Sequence, residues 1–86
     1  MPYIKRERRA DFDALITPIA EELDTEGELN YVLTMLVLNY IDKKGISYKT
    51  YNAAMGVLEC AKQELYRRWV AAYEEKKIKE NGDIGL

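Results

Sequence analysis

Arginine and aromatic residues gather at two places in this chain of 86 residues. Tyr66, Arg67, Arg68, Trp69 and Tyr73 form one group, and Tyr3, Arg6, Arg8 and Arg9 form the other. A guanidinium group meets two phosphate oxygens at once, and tyrosine and tryptophan faces stack on bases. Together these side chains suit a small anionic, nucleotide-like ligand. A competing reading keeps Trp69 and Tyr73 as core or subunit contacts and pairs the arginines with Glu64, Glu74 and the acids of the middle of the chain.

Other chemistry is constrained by what the chain lacks. It has no histidine, one cysteine, Cys60, and one serine, Ser47, which reads as a helix cap. A serine or cysteine nucleophile therefore has no imidazole base, and zinc sites of the usual Cys and His kind have no ligand set. No phosphate-binding loop of the GxxxxGK[ST] or GxGxxG type is present. Carboxylates remain: Glu21, Glu22, Asp24, Glu26 and Glu28 bunch together, and Glu59 and Glu64 stand further on. Magnesium-dependent hydrolysis on helices needs carboxylate pairs three residues apart on adjacent helices. Glu21 and Asp24 make one such pair and the second is missing, so a solvated acidic face is the plainer account. The sequence thus predicts a protein without enzymatic activity, catalytic residues, metal or cofactor. Cys60 is expected to be a small buried hydrophobe.

Charge is distributed unevenly. Residues 1–10 carry four bases and one acid, residues 11–42 eight acids and no base, and residues 43–86 nine bases and six acids, giving +3, −8 and +3 and the net −2. An anion site therefore belongs at the ends of the chain. The acidic isoelectric point, near 5.2, argues against nucleic acid as the partner. Apolar residues make up 48% and charged residues 33% of the chain, the composition of a folded domain. A single helical domain over 1–86 is expected, with a basic arm at 1–6 and a tail at 84–86. No apolar run has membrane-spanning length and the first residues lack a signal-peptide core, so the expected place is the cytoplasm, with no membrane partner.

The elements that must position these groups read as helices. Phe12, Leu15, Ile16, Ile19, Ala20 and Leu23 fall on one face of a first helix, near 7–24. Pro18 sits on its opposite face and either bends it or follows a new cap at Thr17. Thr25 and Glu28 have capping-box spacing and open a second helix near 26–43. Because that helix is apolar on nearly every side from Leu29 to Ile41, it is predicted to be the central, most enclosed one. Gly45 should end it, with Ile46 as its hydrophobic partner. Ser47 caps a third, long helix near 48–80, closed by Asn81-Gly82. Gly56 within it is expected to admit a close crossing by the second helix. At about 1.5 Å per residue the third helix is roughly 50 Å long. Its shorter partners leave Leu65, Trp69 and Tyr73 on an uncovered stripe, the expected oligomer interface. The fold class that follows is all-α, a three-helix antiparallel arrangement with a long C-terminal helix, oligomeric.

Met1-Pro2-Tyr3-Ile4 with Glu7-Arg8-Arg9, Gly27-Glu28-Leu29-Asn30-Tyr31-Val32, Gly56-Val57-Leu58-Glu59-Cys60, Glu64-Leu65-Tyr66-Arg67-Arg68, Tyr73-Glu74 with Lys76-Lys77, and Asn81-Gly82-Asp83 span nearly the whole chain. This pattern resembles a family of short, uncharacterised proteins of phages, prophages and some archaea. The family pattern often carries a proline where this chain has Ala72, a departure that leaves the helix unbroken here. The resemblance implies a bacterial or archaeal host cell and brings no activity with it. Small phage proteins often act by binding, which suggests an oligomeric binder or sequesterer of a nucleotide-like ligand. A helical adaptor or inhibitor that binds a host or phage protein is the alternative.

Overall fold

The computed structural model describes residues 3–85. Met1, Pro2 and Leu86, parts of the expected arm and tail, lie outside the described residues. All described elements are helical: α1 spans Arg6–Glu22, α2 spans Glu26–Lys44, and a third helix runs as α3, Tyr48–Leu65, a π turn, Tyr66–Val70, and α4, Ala71–Asn81. The three helices match the expected ones to within two residues at most ends. Arg6 belongs to α1 rather than to the arm. The chain divides inside α3 into two units, Tyr3–Ala54 and the remainder from Met55.

In the first unit, local hydrogen bonds set the ends of α2 and the start of α3. α1 passes through Pro18 without interruption, so Thr17 starts no new helix. Thr25 Oγ1 accepts from the Glu28 amide at 3.1 Å, and Glu28 Oε1 accepts from the amides of Thr25 at 3.1 Å and Asp24 at 2.7 Å. Three amides that would otherwise lack a helical partner are satisfied by two side chains. Gly45, at φ 99°, donates its amide to Ile41 at 2.9 Å and Asp42 at 3.3 Å. Glycine suits that left-handed position because it has no Cβ to clash. Ser47 Oγ accepts from the Thr50 amide at 3.1 Å and so caps α3.

Packing departs from expectation. α2 is not enclosed: Ile41 is its one buried residue, and Val32 and Val37 are half-buried. A helix that is apolar all round needs neighbours on every side. This unit supplies only α1 and the first turns of α3, and α1 leaves Phe12, Leu15, Ile16 and Ile19 themselves between 38% and 66% exposed. Ile46 is exposed and does not close over the end of α2. Ala54 joins Ile41 as the buried apolar pair of the unit.

From Met55 onward the chain is helical to Asn81, where Gly82, at φ 85°, donates its amide to Ile78 at 2.8 Å. There is no break at Gly56. A methyl group there would meet nothing within 4 Å, so the glycine serves no close approach within its unit. At the π turn the Ala71 amide bonds to the Tyr66 carbonyl, five residues back instead of four. Leu65, Trp69 and Tyr73 are exposed, as the uncovered stripe requires. Among the described residues no helix is long and apolar enough to cross a membrane.

Candidate functional site

The π turn carries the second of the two arginine and aromatic groups. A five-residue bond inserts one extra residue into the helical register, which widens the turn and shifts every later side chain around the axis; such turns recur at functional sites. Cys60, Gln63, Glu64, Arg67 and Ala71 follow one helix face and, with Tyr66, line an open groove of roughly 580 Å³. Glu64 is the pivot of this face. It is buried, and a buried carboxylate is stable only when it is paired. Arg67 Nη2 donates to both of its oxygens, at 3.1 and 3.2 Å. Arg68 Nη1 lies 3.6 Å from Oε1. The Glu64 carboxylate thus stands between two guanidinium groups.

The aromatic rings are placed by cations of the same helix. The Arg68 guanidinium lies over the Trp69 ring at 4.9 Å and the Lys77 ammonium over the Tyr73 ring at 5.5 Å. The Tyr66 hydroxyl donates to Glu74 Oε2 at 3.3 Å, bridging the π turn. Glu74 therefore serves the phenol, while Glu64 serves both arginines. One turn earlier Glu59 accepts from Gln63 at 3.0 Å and pairs with Lys62 at 3.3 Å. The Gln63 bond first, and Lys62 second, hold the Glu59 carboxyl below its usual value.

The first group is built on the start of α1. Arg9 Nε donates to the Ile4 carbonyl at 3.0 Å and ties the arm to the helix. Arg8 Nη1 pairs with Asp11 at 3.0 Å, and its guanidinium lies over Phe12 at 4.9 Å. Tyr3 and Arg6 are exposed beside them. Each group is cationic and accessible within its own unit.

Two features of the groove were outside the sequence reading. Cys60 is exposed and lines the groove rather than being buried, because the unit from Met55 has no second helix to cover it. Gln63 lines it too. Glu64 takes both arginines, which is the pairing the competing sequence reading named. The spacing of Cys60, Gln63, Glu64, Arg67 and Ala71 is itself a helix face and could have located the groove.

Arg67 and Arg68 offer charged donors, Gln63 the second hydrogen of its amide, and Trp69 and Tyr73 rings. A family model described as a domain of unknown function, DUF6899, matches residues 1–84. No curated protein and no solved structure matches the chain. The family match takes in both arginine groups, the capping box and the π turn, and on that match the chain belongs to the DUF6899 family.

Proposed function

We propose that this is a small, non-enzymatic, phage-type protein that acts in the cytoplasm of a bacterial or archaeal host as an oligomeric binder, sequestering a small anionic, nucleotide-like ligand. The observation that carries this reading is the exposed Arg67 guanidinium, held in place by Glu64 beside Arg68 at a π turn. Arg67 keeps 70% of its side chain accessible while bonded to Glu64. A phosphate can therefore approach the outer edge of the guanidinium group without breaking that pair, and Gln63, with one amide hydrogen not given to Glu59, lies on the same groove to receive another of its oxygens. In the assembled protein the arm residues Tyr3, Arg6, Arg8 and Arg9 of a neighbouring copy supply the second cationic wall, and Leu65, Trp69 and Tyr73 supply subunit contact.

Calorimetric titration with a panel of cyclic and linear nucleotides tests the reading. Heat of binding to the wild type is expected for at least one of them, at least about tenfold weaker in Arg67→Ala, since a charged hydrogen bond contributes about 1.5–3 kcal/mol. Absence of heat with every nucleotide would contradict it. That outcome would favour the second reading, a helical adaptor or inhibitor for a host or phage protein, for which the exposed Leu65, Trp69 and Tyr73 stripe is the supporting observation.

A further inference from the structure

The apolar surface of α2 carries a pattern that the arginine groove does not use. Leu29, Leu33, Leu36 and Tyr40 follow each other at steps of four, three and four, the spacing of a coiled-coil seam. At about 100° per residue they fall within an arc of about 60°. They are between 48% and 57% exposed, and residues 29–41 contain no charge. The charges stand at the two ends: Glu26 and Glu28 in the first turn, and Asp42, Lys43 and Lys44 in the last, which is net basic.

We propose that this stripe is a two-fold interface in which α2 pairs antiparallel with α2 of a second copy. The argument is self-complementarity. A two-fold axis passing between Thr34 and Met35 sets Leu33 against Leu36 of the partner subunit and Leu29 against Tyr40 of the partner subunit. The same axis sets Glu26 against Lys43 of the partner subunit, so one operation satisfies both the apolar seam and the charges. Antiparallel pairing also places the positive end of each helix dipole beside the negative end of the other. A parallel pairing would put Glu26 beside Glu26 and Lys43 beside Lys43. The pairing is independent of the nucleotide reading and of the Leu65, Trp69 and Tyr73 stripe.

Charge reversal with the full chain tests it, read as the dimer dissociation constant by sedimentation equilibrium. Glu26→Lys alone and Lys43→Glu alone are each expected to weaken the dimer about tenfold, and the double variant to return it to the wild-type value. Within one helix both substitutions oppose the dipole, so intrahelical effects accumulate in the double variant; only pairing between copies cancels. Leu36→Glu, at an exposed position, is expected to keep the helical circular dichroism and weaken the dimer at least about a hundredfold. A monomeric wild type at micromolar concentration, as a stripe covered by a different protein would give, would overturn the proposal. So would a double variant as weak as the product of the singles, or a Leu36→Glu variant of unchanged mass.

Discussion

Glu64 decides between a structural and a functional role for the arginines. It is buried and holds Arg67 at 3.1 Å and Arg68 at 3.6 Å. If the pairs only brace the helix, Glu64→Gln and Arg67→Ala should both lower the melting temperature and neither should affect any anion. If the groove receives a phosphate, the two substitutions have opposite signs: Arg67→Ala weakens nucleotide binding by at least about tenfold, and Glu64→Gln, which releases both guanidinium groups from a competing carboxylate, strengthens it several-fold. Titration of the two variants side by side checks this. The residue types of the site were legible because arginine beside tyrosine and tryptophan is informative without coordinates. Cys60 and Gln63 were not, since lining a groove depends on which neighbours are missing.

At the scale of the elements, the helix ends were the most legible part of the molecule. Thr25 with Glu28, Gly45, Ser47 and Gly82 each carry a local hydrogen-bonding reason that needs no tertiary contact. Thr25→Ala should therefore destabilise α2 by about 1 kcal/mol in chemical denaturation. Gly45→Ala should also destabilise, because φ 99° is strained for any residue with a Cβ, although nothing lies within 4 Å of the added group. The amide of Asp24 first, then that of Thr25, hold the Glu28 carboxyl below the usual 4.5. A lowered folded-state value means that the stabilisation is fully present above the ordinary glutamate value and is lost as the pH falls through the folded one. The difference in melting temperature between the wild type and Glu28→Ala should thus be constant near neutrality and shrink below pH 4.5; a difference unchanged into acid would contradict the cap. The π turn escaped the sequence reading because Tyr66 to Val70 carry ordinary helical propensities.

For the whole molecule, the periodicity foretold the helices better than it foretold their burial. An apolar stripe says that a face must be covered without saying by what. Hence α2, expected to be the most enclosed helix, keeps Leu29, Tyr31, Leu33, Leu36, Leu38 and Tyr40 exposed. Exposed apolar side chains in such number mark interaction surfaces, and we propose that assembly with further copies of this chain covers them together with the uncovered Leu65, Trp69 and Tyr73. The account joins that assembly to an anion site, and native mass spectrometry of the full chain, alone and with the nucleotide panel, reads both in one spectrum. It predicts a defined oligomer at micromolar concentration that gains whole-number ligand masses, with the gain lost in Arg67→Ala while the subunit number stays the same. A bare monomer that takes up no nucleotide would contradict it.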